Sequence, residues 1–167
     1  PFYTDTTCYR WFLIAEDSAS NQSINLLLDH DLGSATFNNA SSTLSSTTSG
    51  WDDYTGTPRL MTENEIAEAM RLGERRPTLD NMSIAAENIA HIRIYNPRLF
   101  TNSLYYYNGT AVNTAGFWSS DVYPDNTQYA YTVTEYGNNR LVEIVYERGV
   151  RPVINIDKSK LAVGSGI

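Results

Sequence analysis

Two short stretches place acidic, imidazole or hydroxyl groups close enough together for chemistry. Asp29, His30 and Asp31 in "DHDLG" could coordinate a cation. Ser119 and Ser120, which precede Asp121, could act as a nucleophile. The other positions of a calcium loop do not follow Asp29, and neither a G-x-S-x-G turn nor a nearby base accompanies the serines. We therefore interpret "DHDLG" as a strand end that enters a turn. We expect no catalytic residue, no metal and no cofactor.

The composition disfavours several classes of partner. The 167 residues carry a net charge of -7, which opposes binding to the phosphates of a nucleic acid. No apolar run approaches the about 20 residues that cross a bilayer, so we expect no direct membrane insertion by this segment. Cys8 is the single cysteine, which excludes an internal disulfide and a cysteine-rich zinc site. A coat rich in Ser, Thr, Asn and Tyr favours an extracellular or cell-surface location.

Apolar runs predict strands towards both ends of the chain. "CYRWFLIAED" and "INLLLDHDL", separated by "DSASNQS", predict an antiparallel hairpin. "TQYAYTVTEYG" alternates Tyr129, Tyr131 and Val133 on one face, and we expect "LVEIVYERG" to pair with it after the turn "GNNR". Pro152 in "VRPVINI" lacks an amide donor, so this last run is expected to be an edge strand or to contain a bulge.

The middle of the chain predicts two helices. Thr62 and Glu65 form a capping-box pattern, with Gly73 as the expected stop. A second helix is predicted across "NMSIAAENIAHI", with Ser83 as its N-cap. Residues 34–50 are dominated by Ser, Thr, Asn and Ala, which is compatible with a surface loop or a short, poorly amphipathic helix, and we favour the loop. Strands, then helices, then strands, without βαβ alternation, indicate an α+β fold.

Several of these stretches occur together, and in this order, in a known family. With "YRWFLIAED", "INLLLDHDL", "RLMTENEIAEA", "GFWSSDVYPDNTQYAYTVTEYG" and "GVRPVINI", the chain resembles an uncharacterised family of bacterial surface domains from about Tyr9 to Ile156. That family is similar to the C-type-lectin-like fold of the formylglycine-generating and sulfatase-modifying group. The resemblance implies a C-type-lectin-like α+β domain, with twisted antiparallel sheets, two helices and long loops. It also implies that the two ends of the chain share a sheet.

The chain departs from these groups where their chemistry lies. The formylglycine-generating enzymes depend on a cysteine pair, which a chain with Cys8 alone cannot supply. The run "YPDN" is similar to the first calcium-binding motif of sugar lectins, but no Trp-Asn-Asp follows it. The resemblance therefore implies a binding scaffold without enzymatic activity and without calcium-mediated sugar binding.

Aromatic residues supply the candidate binding surface. Three tyrosines are consecutive at 105–107, so in an extended chain they cannot all face the core. Trp118 is expected in the core, whereas "SSDVYPDN" is expected to be a polar loop with Tyr123 at its centre. Tyr and Trp offer large, rigid contact areas to a ligand. The predicted ligand-binding residues are Tyr105, Tyr106, Tyr107, Asn108, Ser120, Asp121, Tyr123, Asp125 and Asn126.

These observations lead to one functional hypothesis. We expect residues 1–167 to be a single C-type-lectin-like domain of a longer surface protein, with 157–167 starting a linker. Its expected function is non-enzymatic binding or adhesion to a host or bacterial surface protein or a glycan, as a monomeric module outside the cell. The alternatives are a structural display module of a pilus or cell-wall protein, a phage or diversified receptor-binding protein, and an enzyme.

Overall fold

The fold combines two helices with eleven strands in the part of the chain that the structure describes. That structure is a computed structural model, and it describes residues 9, 11–16, 22–51, 56–85, 104–107, 110–113 and 115–160. The predicted α+β class is confirmed. The helices are α1 (Phe37–Thr47) and α2 (Glu63–Ala69). The strands are β1 (Trp11–Glu16), β2 (Ser23–Leu28), β3 (Ser34–Ala35), β4 (Ser83–Ala85), β5 (Leu104–Tyr107), β6 (Thr110–Asn113), β7 (Phe117–Val122), β8 (Tyr129–Val133), β9 (Asn138–Glu143), β10 (Arg148–Gly149) and β11 (Val153–Asp157).

The first sheet joins early and late parts of the chain in the order β1-β2-β11. β1 and β2 form the predicted antiparallel hairpin, with Trp11 opposite Leu28. β11 pairs antiparallel with the other side of β2, from Val153 opposite Leu27 onward. Pro152 lies directly before this edge strand, where its missing amide donor removes no ladder hydrogen bond.

The second sheet has six strands in the order β3-β10-β7-β8-β9-β4. β7, β8 and β9 form an antiparallel meander, with Tyr131 opposite Leu141. The predicted pairing of the two late runs is confirmed, but the predicted turn "GNNR" was wrong. The turn comprises residues 134–137, and Asn138, Asn139 and Arg140 begin β9. β10 contacts β7 in parallel through one residue pair, Gly149 and Phe117, so this sheet is mixed. A third sheet consists of the hairpin β5-β6.

Helix α1 occupies the Ser- and Thr-rich stretch, so the prediction of a loop over residues 34–50 was wrong. Phe37, Ala40 and Leu44 recur at helical spacing, and Ala40 and Leu44 are buried. Phe37 packs edge-on against Trp118, with 5.3 Å between the ring centroids. Hydroxyls donate to carbonyls one turn earlier, as Ser45 does to Ser41 at 3.0 Å. Packing of one apolar face therefore outweighs the weak helix propensity of this composition.

Helix α2 begins at the predicted capping box. The Glu65 amide donates to Thr62 Oγ1 at 3.2 Å, and the Thr62 amide donates to a Glu65 carboxylate oxygen at 2.9 Å. Ile66 is completely buried on the inner face of α2. The helix ends at Ala69, before the predicted stop at Gly73, because Arg71 already adopts a left-handed conformation with φ of 55°.

The second predicted helix is wrong at its start. Ser83–Ala85 form strand β4, with Ser83 opposite Arg140 of β9. The outer backbone groups of β9 need hydrogen-bond partners, and β4 supplies them, so tertiary pairing decides the conformation of this short segment. The rest of that prediction, residues 86–92, lies outside the described residues.

The core lies between the sheets and the helices. Trp118 is completely buried, as predicted, and its indole N–H donates to the Ala35 carbonyl at 2.8 Å. Arg151 is also completely buried. Its Nε donates to the Leu28 carbonyl at 2.5 Å, and its guanidinium lies 4.9 Å from the centre of the Phe117 ring. No helix among the described residues combines the length and apolarity needed to cross a membrane.

Candidate functional site

The stretch predicted to be a polar binding loop begins as a strand. β7 continues to Val122, so Ser120 and Asp121 are strand residues. The Asp121 carboxylate accepts the Glu63 amide at 2.7 Å, which satisfies an amide in the first turn of α2, and it also accepts the Ser120 hydroxyl at 3.1 Å. Asp121 therefore has a structural role, in which its negative charge stabilises the start of a helix.

Tyr123 lies in the core, which corrects its expected position at the centre of an open loop. Only 8% of the residue is exposed, and its ring packs edge-on against Tyr131, with 6.0 Å between the centroids. Leu141 belongs to the same buried cluster. Burial raises the pKa of the Tyr123 hydroxyl, and its hydrogen bond to Asp125 raises that pKa further. The Tyr123 amide donates to the Tyr129 carbonyl at 2.8 Å, which closes the turn and holds the ring over the sheet.

Only the end of the predicted loop "SSDVYPDN" is a turn in the structure, which comprises residues 124–128. Asn126 accepts the Gln128 amide through its side chain at 3.0 Å, and its carbonyl accepts the Tyr129 amide at 3.0 Å. Asp125 is exposed at the tip, beside Pro124. Of the predicted residues in this stretch, Ser120 and Asp125 are exposed and Asn126 is half-buried. We call residues 124–128 the Asp125 turn.

The predicted tyrosine run is in a different element. Tyr105, Tyr106 and Tyr107 belong to β5, whose extended backbone pairs with β6. Asn108 lies outside the described residues. A ligand-binding role for these four residues stays a prediction.

A pocket that the sequence did not predict lies at the outer edge of β9. Its volume is about 330 Å³, and its lining includes Met82, Tyr129, Arg140, Glu143, Tyr146 and Arg148. We call it the β9 pocket. β4 covers β9 only as far as Leu141, whose amide donates to the Met82 carbonyl at 2.9 Å. Among the described residues, no strand pairs with this edge of β9 beyond that point, and the pocket lies there.

Three strands bring these side chains together. Tyr129 begins β8 opposite Glu143, the last residue of β9. The turn between β9 and β10 presents Tyr146, and Arg148 begins β10. The Ile144 amide donates to the Gln128 carbonyl at 2.9 Å, so the Asp125 turn and the β9–β10 turn are held next to each other.

Within the described part of the chain, Arg140 and Arg148 form no salt bridge, whereas Arg59 and Arg76 each pair with a glutamate. Arg148 donates to the Glu147 carbonyl at 2.6 Å, and its guanidinium lies 5.9 Å from the centre of the Tyr146 ring. Burial lowers the pKa of Arg148; Glu135 opposes this shift and the positive charge of Arg140 adds to it. Two cations therefore line one cavity, together with the single carboxylate of Glu143.

A second pocket, of about 300 Å³, lies between α1 and β7. Ser120 lines it together with Ser41, Ser45, Phe37 and Arg59. The charge of Arg59 is already neutralised, because its guanidinium binds both carboxylate oxygens of Glu65 at 2.6 and 2.8 Å. This pocket therefore offers hydroxyls and an aromatic ring, without an available charge.

The "DHDLG" stretch lies where β2 ends, as predicted. His30 Nδ1 is 2.6 Å from an Asp29 carboxylate oxygen. Asp31 is buried and packs against Gly149. Within the described residues, His, Cys, Asp and Glu side chains form no group of three that could hold a metal ion.

The fold and the β9 pocket define an α+β domain with a tyrosine- and arginine-lined cavity at a sheet edge. Among known proteins, no family model matches the chain, and no curated protein or solved structure matches it significantly. The resemblance to C-type-lectin-like surface domains therefore stays a prediction.

One residue of the β9 pocket could have been predicted from the sequence, but it was included in the predicted strand "LVEIVYERG". Tyr146 in "VYERG" follows the end of β9, in a turn where a core residue is not required. An aromatic residue beside charged residues in a turn is a candidate for contact with a partner. The clustering of Arg140 with Arg148 could not be read from the sequence, because it depends on the pairing of β10.

Proposed function

We propose that this chain is a non-enzymatic binding module that acts outside the cell and recognises a surface protein or a glycan. The carrying observation is the convergence of Tyr129, Tyr146, Arg140 and Arg148 on one pocket. Tyr and Arg are enriched among residues that dominate binding energies, because they combine large contact area with directional hydrogen bonds. The ligand surface in this proposal consists of the β9 pocket and the adjoining Asp125 turn.

Exposed apolar groups beside the pocket support this proposal. Val145 is 67% exposed and Tyr146 is 54% exposed, and they are consecutive in the β9–β10 turn. Keeping such groups in water is unfavourable, and they gain free energy when a partner covers them. A hydrogen-bonded pair of turns holds them in place, so less conformational entropy is lost on binding.

The position of Ser119, one of the two serines considered as a nucleophile, supports a non-enzymatic role. Ser119 is completely buried, and its Oγ accepts the Asp121 amide at 3.0 Å and donates to the Asp121 carbonyl at 3.3 Å. A hydroxyl engaged in the interior does not meet a substrate.

A matched pair of tyrosine variants tests the proposed surface. Tyr146→Ala removes an exposed ring beside the pocket, whereas Tyr136→Ala removes a 67% exposed ring from the turn at the other end of β9. The parent and both variants would be screened on an array of glycans and surface proteins, with thermal unfolding as the folding control. We expect Tyr146→Ala to weaken binding at least about tenfold and Tyr136→Ala to have little effect.

The same screen separates a binding module from a structural one. Equal binding by the two variants would exclude the β9 pocket as the contact surface. Absence of any bound ligand for the parent would instead favour a display module of a larger surface structure.

A further inference from the structure

We infer that the β9 pocket binds an acidic sugar, whose carboxylate lies between Arg140 and Arg148 and whose ring contacts Tyr129 and Tyr146. This inference rests on the proposed binding function and assigns a ligand class to it.

The charge of the pocket differs from that of the whole chain. The chain carries a net charge of -7, yet Arg140 and Arg148 line one cavity without ion pairs. Where the fold neutralises an arginine, it places a glutamate 2.6 Å away, as in the pairs Arg59–Glu65 and Arg76–Glu63. The arginines of the β9 pocket lack such a glutamate among the described residues. The carboxylate of a ligand would therefore supply the ion pair that the fold does not provide.

Strand pairing fixes the backbone positions of both arginines. Arg140 lies on β9 between two neighbouring strands, opposite Thr132 on one side and Ser83 on the other. Arg148 lies opposite Ala35 in the pairing of β10 with β3. The planar guanidinium binds both oxygens of a carboxylate through two parallel hydrogen bonds. Two arginines with fixed backbone positions line one cavity and can therefore bind one carboxylate.

The third charged group of the pocket favours a sugar over an acidic peptide. Glu143 lines the same cavity and is exposed. It would repel a ligand with several carboxylates, but it accepts hydrogen bonds from hydroxyls. A sugar with one carboxylate and several hydroxyls matches two cations, one anion and two aromatic rings. The volume of about 330 Å³ is at the small end of ligand pockets, which suits a terminal sugar unit.

The test compares an acid with its neutral ester. Binding of the methyl glycosides of glucuronic acid and N-acetylneuraminic acid would be measured by saturation-transfer NMR and calorimetry, beside the methyl esters of the same sugars. We expect at least one acid to bind, and its ester to bind at least about tenfold more weakly, because the ester loses the charge-assisted hydrogen bonds. Added salt should weaken binding of the acid only.

Arginine variants locate the carboxylate. Arg148→Gln and Arg140→Gln should each weaken binding of the acid at least about tenfold. Arg148→Lys keeps the positive charge but loses the planar guanidinium that binds both carboxylate oxygens. Its affinity for the acid should therefore lie between that of Arg148→Gln and that of the parent. Arg71→Gln removes an equal charge from an exposed position outside the pocket and should have no effect. Thermal unfolding checks that each variant is folded.

Three outcomes would overturn the inference. Equal binding of acid and ester would show that the carboxylate is not recognised. Equal weakening by Arg71→Gln and Arg148→Gln would show a nonspecific charge effect. If neither acid bound, acidic sugars would be excluded as the ligand class. The proposed binding function would still hold if a neutral glycan or a protein bound the parent and if this binding were weakened by Tyr146→Ala.

Discussion

The carboxylate of Asp31 packs directly against the Cα of Gly149, in the space that a Cβ would occupy at that position. Asp31 is 1% exposed, so its carboxylate is enclosed by protein atoms. Gly149 is also the residue of β10 that pairs with both β3 and β7. This contact joins the turn after β2 to the six-stranded sheet.

Gly149→Ala should therefore destabilise the fold. The added methyl group would overlap the Asp31 carboxylate, and we expect a loss of about 1–3 kcal/mol in the free energy of unfolding, measured by urea denaturation. Gly56→Ala is the control, because a Cβ there would meet Asn155 at ordinary contact distances of 3.5 and 3.7 Å. Equal stability of the two variants would contradict the close packing of Asp31.

Asp121→Ala should lower stability without affecting ligand binding. The variant leaves the Glu63 amide without its carboxylate acceptor, and the loss of such a cap costs about 1 kcal/mol. Asp80→Ala, at an exposed position, should change the free energy of unfolding by less than about 0.5 kcal/mol. If Asp121→Ala weakened binding but left stability unchanged, the original prediction of a ligand-binding role would be correct.

Alkaline pH should destabilise the protein through two buried tyrosines. Burial is the main cause that raises the pKa of Tyr123 and of Tyr131. Above the pKa of an unfolded tyrosine, about 10, the folded state retains protons that the unfolded state has lost, so stability falls as pH rises. Urea denaturation between about pH 8 and 11 should show this fall.

A double variant tests the origin of that pH dependence. Tyr123→Phe with Tyr131→Phe should have a shallower decline in stability above pH 10 than the parent. Tyr136→Phe, at a 67% exposed position, should behave like the parent. An unchanged slope in the double variant would assign the decline to other groups.

Arg151→Met should destabilise the protein strongly. The pKa of Arg151 is lowered to about 10, because burial outweighs the attraction of Asp31 and Asp29, yet the side chain stays charged at neutral pH. Methionine would fill similar space but leave the buried Asp31 without this positive charge. We expect a loss of about 3–5 kcal/mol in urea denaturation. A loss of less than about 1 kcal/mol would show that the charge of Arg151 contributes little.

Local signals explain the elements that the sequence predicted correctly. The capping box at Thr62 and Glu65 is made by residues three positions apart, so the chain itself contains the interaction that starts α2. The hairpin β1-β2 is also local, because its two apolar runs are separated by only a few polar residues in the sequence. The burial of Trp118 follows from its hydrophobic size, and its N–H partner at Ala35 comes from a distant strand.

Contacts between distant segments explain the errors. Helix α1 depends on the packing of Phe37 against Trp118, and strand β4 depends on the open edge of β9. Neither partner is near in sequence, so propensity alone predicted a loop and a helix. Tyr123 was assigned to a surface loop because its neighbours are polar, but the turn directs its ring onto Tyr131.

By itself, the amino-acid sequence determined the α+β class, the hairpin, helix α2 and the late strand pair, because each depends on periodicity or on residues within a few positions. Tertiary structure alone decided which side chains form a site. Arg140 and Arg148 line one pocket although β7 and β8 lie between β9 and β10 in the sheet. Strand order depends on the packing of the whole core, which no short stretch of sequence encodes.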